Sequence, residues 1–177
     1  MDIVSTDFNE VKKIHLTAHS DERGLFKELY RKDFLQKSGL AYDFVQDNFS
    51  FSKKQTIRGM HFQTGKGQAK LVSVLEGEIL DVVVDVRKNS SSFGRWIAVP
   101  LRADRHEQLL IPEGFAHGFC VLSTIAIVLY KVSTYYSSET ERGFRYDDPD
   151  VGIVWPTKEP ILSKRDREAP PFFEVCE

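Results

Sequence analysis

The stretch Gly77–Val86, GEILDVVVDV, decides how the fold is read. Its even positions Leu80, Val82, Val84 and Val86 are all apolar, and its odd positions run Ile79, Asp81, Val83, Asp85. A period of two marks a β-strand, whose side chains alternate between the two faces of a sheet. One face is plain core. The other sets two carboxylates among apolar neighbours, and two readings of it stand level. It meets solvent, as one face of an antiparallel sheet commonly does, or it lines a barrel and puts Asp81 in the cavity.

Outward from this strand the same signal recurs at short intervals: GLFKELY, FVQDNFSFS, TIRGMHFQ and AKLVSVL before it, RWIAVPL, EQLLIP, HGFCVL and AIVLYKVSTYY after it. Turn residues (TGKG, EG, KNSSSFG, PEG) separate most of these runs. Helical signal is confined to Asp33–Ser38, closed by Gly39. With no helices to carry parallel crossovers, the expectation is an all-β, antiparallel sandwich or barrel. Beyond Thr140 the composition turns polar and proline-rich (DDPD, WPTKEP, EAPPFFE), which reads as a tail wrapped on the barrel and anchored by Trp155, Phe172, Phe173 and Val175. The organisation expected is one domain over 1–177, with an N-terminal arm and strands to 55, a barrel core over 56–135 and a tail over 136–177.

At 177 residues, 41% hydrophobic and 28% charged, the chain is long enough for one well-buried core. A net charge of −2 gives no general attraction to nucleic acid or anionic membrane, so any anion must be bound by a local basic cluster. No apolar run approaches a membrane span, and the acidic start MDIVSTDFNE lacks the pattern of a signal peptide. Cys120 sits in an apolar run and Cys176 is next to last, a pair that fits unpaired thiols and a cytoplasmic setting.

His61 to Gly77, HFQTGKGQAKLVSVLEG, has the layout of the first metal motif of cupin barrels: two histidine positions one residue apart, a glutamate position, then a glycine. Here those positions hold His61, Gln63, Lys70 and Gly77. The second cupin motif, a proline–glycine turn followed by histidine, is matched by Pro112, Gly114 and His117. Two imidazoles remain of four ligands, and an ammonium replaces a carboxylate, a poor donor set for a divalent ion. The site is expected to be metal-free and to need no cofactor. A barrel interior with two histidines and a lysine suits proton transfer and the stabilisation of an enolate.

Nine segments resemble the nucleotide-sugar 3,5-epimerases of the dTDP-4-dehydrorhamnose 3,5-epimerase family, in the family's order: RGLFKE (23–28), QDNFSFS (46–52), RGMHFQ (58–63), KLV (70–72), GEILDVVVDVR (77–87), IPEGFAHGF (111–119), YKVSTYY (130–136), DDPDVGIVWP (147–156) and LSKRD (162–166). The resemblance implies a cupin or jelly-roll barrel with an N-terminal strand extension and a short C-terminal helical tail. Met60, Phe62 and Tyr146 depart from the family's usual leucine, tyrosine and tryptophan.

The activity it implies is epimerisation of a nucleoside-diphosphate 4-keto-6-deoxy sugar at C3 and C5, with C3-only or C5-only action as the near alternative. A non-catalytic sugar-binding cupin has no need for an acid and a base on opposing faces. By resemblance His61 is the base, Asp166 its carboxylate partner, Tyr130 the acid on the opposite face, and Lys70 the support for the enolate. His117 orients the site, with Asp81 as its partner. Arg58 and Arg23 match diphosphate ligands, and Gln46, Asn48, Phe26, Glu28 and Tyr136 match positions around the nucleotide and sugar. Arg23, Phe26 and Glu28 are expected to act in trans within a homodimer that exchanges N-terminal arms.

Overall fold

The computed structural model describes residues 2–176. The chain forms β1 (Asp2–Ser5), β2 (Lys12–His15), β3 (Ala18–Asp21), β4 (Gly24–Lys27), α1 (Lys32–Lys37), β5 (Gln46–Lys53), β6 (Ile57–Gln63), β7 (Lys70–Glu76) and β8 (Glu78–Asp85). It continues through β9 (Trp96–Arg102), β10 (Glu107–Ile111), β11 (Phe115–Val121), β12 (Ile125–Val132), β13 (Glu141–Gly143), α2 (Lys164–Arg167) and α3 (Phe172–Cys176). The central strands fall where the alternating runs place them. β1, β2, β3 and β13 were not legible, because strands of three or four mostly polar residues are too short to show a period. α1 ends as expected: Gly39 takes a left-handed φ of 78°, and the Leu40 amide turns back to the Leu35 carbonyl at 2.8 Å.

Two antiparallel sheets face each other. One runs β1-β2-β10-β7-β12-β5 and the other β13-β6-β11-β8-β9, while β3 and β4 form a separate hairpin. Val72, Val74, Leu109 and Val128 of the first sheet meet Ile79, Val83, Val99 and Phe119 of the second in one continuous core. Every strand pairing in these sheets is antiparallel, so the architecture is the all-β double-sheet barrel expected.

β8 resolves the two readings of its carboxylate face. Asp81 and Asp85 are both fully buried, and Ile79 and Val83 beside them point into the barrel. Val82 and Val84, on the opposite face, pack under the tail with Phe144, Val151, Ile153 and Phe172. The tail therefore takes the place of solvent on the outer face. Asp85 lies at the strand end, where its carboxylate accepts from Arg87, Ser90 and Ser92 at 2.6–2.9 Å.

The tail is fixed by a few defined contacts. Asp148 accepts the Phe172 amide at 2.8 Å, and the Arg145 amide donates to the Pro170 carbonyl at 2.9 Å. The Phe172 ring sits edge-on to Phe144, with centroids 5.0 Å apart, and is 1% exposed. Phe173, expected as a further anchor, is 41% exposed and touches Phe172 and Phe93 from outside, because neighbouring residues of one helical turn cannot both face the barrel. Deleting a buried phenyl ring costs about 3–5 kcal/mol in lost burial and residual cavity. Phe172→Ala is expected to lower unfolding stability by that amount in urea titration, and Phe173→Ala by well under half of it. Equal losses would show that the tail is held differently.

Candidate active site

The face-to-face sheets make a cavity of about 400 Å³. The five-stranded sheet lines it with Arg58, His61, Gln63, His117 and Phe119; the six-stranded sheet lines it with Gln46, Asn48, Ser50, Lys70 and Tyr130. On the second wall Tyr130 lies opposite Asn48, and Val132 lies opposite both Gln46 and Lys70, so one face of three adjacent strands presents all of these groups.

The first wall depends on an irregularity. His61 pairs with His117 across β6 and β11, yet Arg58 pairs with Phe119. β6 thus spends three residues where β11 spends two, and the extra residue at Gly59–Met60 is a bulge. In a regular strand, residues three apart point to opposite faces. The bulge turns Arg58 onto the same face as His61. It fits only because the strands nearly touch there: a Cβ on Gly59 would lie 2.5 Å from the Gly118 Cα, and one on Gly118 would lie 2.8 Å from the Arg58 carbonyl oxygen.

His61 Nε2 donates to Asp166 Oδ1 at 2.8 Å. Asp166 is 4% exposed and stands on α2, where its amide is capped by the Ser163 hydroxyl at 3.0 Å. Burial pushes this carboxyl up, but the bonds from His61, Ser163 and the Gly59 amide outweigh it and hold it below the usual range. An ionised carboxylate accepts only, so Nε2 carries a proton, and in the neutral ring the lone pair is on Nδ1. That is the tautomer a base needs.

Tyr130 faces this dyad from the other sheet. Burial raises its phenol pKa against the opposing charge of Arg58, so the hydroxyl holds its proton at neutral pH. Lys70 is 6% exposed, and burial lowers its ammonium to about 8. It stays largely charged at pH 7, as an oxyanion partner must. His117 Nε2 is hydrogen-bonded to Asp81 Oδ2 at 2.8 Å, while Asp81 Oδ1 is buried with no hydrogen-bond partner among the described residues. Burial raises the Asp81 carboxyl despite His117 and Lys70.

A family model described as dTDP-4-dehydrorhamnose 3,5-epimerase matches residues 5–174. The chain belongs to this family. A dTDP-4-dehydrorhamnose 3,5-epimerase of Methanothermobacter thermautotrophicus is 44% identical over 174 residues, covering 97% of this chain and 94% of its own. Among solved structures, the Legionella pneumophila dTDP-6-deoxy-D-glucose-3,5-epimerase in complex with dTDP-4-keto-L-rhamnose superposes with a TM-score of 0.94 at 42% identity, covering 98% of this chain and 94% of that one. The Bacillus anthracis dTDP-4-dehydrorhamnose 3,5-epimerase with TDP and PPi bound gives 0.92 at 45% identity, covering 96% and 98%.

Of the epimerase positions expected from sequence, His61, Lys70, Tyr130, Asp166, Gln46, Asn48, Arg58, His117 and Tyr136 all line the one cavity. Asp81 stands behind His117. Arg23, Phe26 and Glu28 do not line it: they lie on or beside the β3–β4 hairpin, where Arg23 pairs with Asp21 and Phe26 is 67% exposed. Met60 and Phe62, two of the departures from the family pattern, pack in the cluster beneath the tail. Sequence reasoning missed Glu141 and Arg165, which pair at 2.6 Å on the cavity wall. Arg165 adjoins Asp166 in LSKRD and could have been flagged; Glu141, on a three-residue strand, gave no signal.

The lysine has a measurable consequence for stability. Its folded pKa of about 8 lies below the ordinary 10.5, so the folded chain binds this proton less tightly than the unfolded chain. Below pH 8 both states are protonated and the burden on the fold is constant. Between 8 and 10.5 the folded lysine releases its proton first, and stability rises with pH. At 1.36 kcal/mol per pH unit, the gain for this group is about 3 kcal/mol. The difference in unfolding free energy between wild type and Lys70→Met is expected to grow in favour of wild type by about that amount across this window. A difference that stays flat would show that Lys70 is not desolvated.

Proposed function

We propose that this chain converts dTDP-4-dehydro-6-deoxyglucose to dTDP-4-dehydrorhamnose, epimerising the sugar at C3 and C5 through an enolate. The observation that carries the reading is the opposition of His61 on one sheet, tied to Asp166 of α2, to a proton-holding phenol on the other sheet, with a buried ammonium in the same cavity.

The C4 ketone acidifies the hydrogens on C3 and C5. His61 Nδ1 takes one of these protons; the C–H pair moves into a C–C double bond, and the carbonyl electrons settle on O4. Asp166 stabilises the imidazolium, and the Lys70 ammonium stabilises the enolate oxygen, which gains charge only as the reaction proceeds. The Tyr130 hydroxyl then delivers a proton to the opposite face, and O4 becomes a ketone again. Exchange with solvent returns the imidazolium and the phenolate to their starting states. Arg58, held by Ser52 at 2.9 Å, is placed to grip a diphosphate oxygen, and His117, Gln46 and Asn48 to position the sugar and nucleotide.

The working form is a homodimer in which Arg23, Phe26 and Glu28 reach the cavity of a second copy. The exposure of Phe26, and of Phe49 and Phe51 on the edge strand β5, supports this arrangement. The cytoplasm is the compartment, a reading supported by two buried free thiols, Cys120 and Cys176, and by the absence among the described residues of any helix long and apolar enough to cross a membrane.

Proton NMR in deuterated water tests the chemistry. Wild type is expected to deuterate and invert both C3 and C5 of the dTDP-linked 4-keto-6-deoxy sugar. Tyr130→Phe leaves the base and the lysine in place, so the enolate recovers its proton from the imidazolium: exchange persists with retained configuration, and inversion falls by ~10²–10⁴-fold. His61→Asn abolishes exchange at both carbons. Near-wild-type inversion by Tyr130→Phe would overturn the two-face assignment.

A further inference from the structure

β13 runs directly behind the imidazole of His61. Glu141, Arg142 and Gly143 pair with Gln63, Phe62 and His61 of β6, so Gly143 is the cross-strand partner of the base itself. A Cβ built on Gly143 would stand 3.0 Å from His61 Cδ2 and 3.9 Å from its Nε2, and 2.8 Å from the Met60 carbonyl oxygen. The approaches to the Met60 carbonyl and to Cδ2 are tighter than ordinary contact, so a side chain here displaces the ring or the strand. The neighbouring ladder cannot yield easily: Met60 and Phe144 exchange amide–carbonyl bonds in both directions at 3.2–3.3 Å, and Phe144 is fully buried beneath the tail.

The edge concerned is the Cδ2–Nε2 edge, which faces Asp166; Nδ1 lies on the far side of the ring. Beside it is a second cavity of about 360 Å³, lined by His61, Gly143 and Asp166 together with Ala169, Pro170 and Val175 of the tail. The imidazole therefore forms part of a wall between two cavities. Asp166 ties it at Nε2, and the bare backbone of Gly143 supports it from the side.

We propose that Gly143 is a positioning residue for the base: the missing side chain lets β13 come into contact with the imidazole edge, fixing how far Nδ1 projects toward the substrate and the angle at which Nε2 meets Asp166. This deepens the epimerase reading and rests on it. Dispersion contact with a rigid backbone confines the ring on one side, and the carboxylate fixes it on the other. An added methyl pushes the ring along its own plane, toward the substrate and out of line with the carboxylate. The binding groups Gln46 and Asn48 lie on β5 in the opposite sheet, and Arg58 lies beyond the bulge on β6, three residues from His61.

The test compares Gly143→Ala with Arg142→Ala, an exposed substitution on the same short strand. A misplacement of the reacting atom by a fraction of an ångström is expected to cut kcat by ~10²-fold in Gly143→Ala while KM stays within about twofold, and Arg142→Ala is expected to keep wild-type kcat. In ¹⁵N-labelled protein, the low-field Nε2–H resonance of His61 should shift in Gly143→Ala alone. A kcat near wild type with that resonance unmoved overturns the proposal, as does an equal fall in both variants, which would mean general damage to β13.

A further arm needs no substitution and survives a failure to fold. In wild type a strong nuclear Overhauser cross-peak is expected between His61 Hδ2 and the Gly143 α-protons, and its absence overturns the contact. Failure of the epimerase reading looks different: wild type would turn over no 4-keto sugar, while the cross-peak would remain.

Discussion

One hydrogen bond joins the two ends of this fold to its chemistry. His61 on a barrel strand donates Nε2–H to Asp166, 105 residues later, on a helical turn of four residues. Such a turn has little stability of its own. It is held where it is because the tail lies across the outer face of the five-stranded sheet, with Phe172 buried among Phe93 and Phe144 and with Asp148 binding the Phe172 amide. The apolar packing of the tail thus sets the tautomer of His61, the proposed base. Stability and catalysis meet at this point, and loosening the outer face would reach the active site through Asp166.

The barrel could be read from the period of its longer strands, because a strand buried on one or both faces must alternate or run apolar. The site was legible only in part, for physical reasons that differ by residue. For Asp81 the alternation fixed a face but not what the face met; the tail, covering the opposite side, determined that. Asp166 carries no local signal, since its partner lies on a distant strand, and family resemblance alone singled it out. Arg58 and His61 should oppose each other on a regular strand, and the bulge at Gly59–Met60 that reconciles them depends on a near-contact between two glycines. Glu141 and the contact of Gly143 are products of edge pairing with β13, a strand too short to announce itself.

The charge arrangement shows what the fold gives up for the reaction. Lys70 is buried at a cost to stability, and Asp81 keeps one oxygen without a partner among the described residues. Lys70 lines the cavity and Asp81 stands behind His117 at its wall, and neither strengthens the barrel. Their arrangement makes sense if the developing negative charge of an enolate completes it: the ammonium gains a counter-charge only when the substrate has lost its proton. In the proposed mechanism Tyr130, kept protonated by burial, and His61, with Nε2–H tied to Asp166, supply the remaining proton inventory without any group needing to be strongly acidic or strongly basic.

The central claim is spatial: the base and the acid address opposite faces of one sugar ring. A crystal structure with a dTDP-linked 6-deoxy sugar in the cavity tests it most directly. The account predicts the ring lying between the two sheets, His61 Nδ1 near C3 or C5 on one face, the Tyr130 hydroxyl on the other, and the Lys70 ammonium within hydrogen-bond reach of O4. A ring with His61 and Tyr130 on the same side, or with O4 turned away from Lys70, would contradict it.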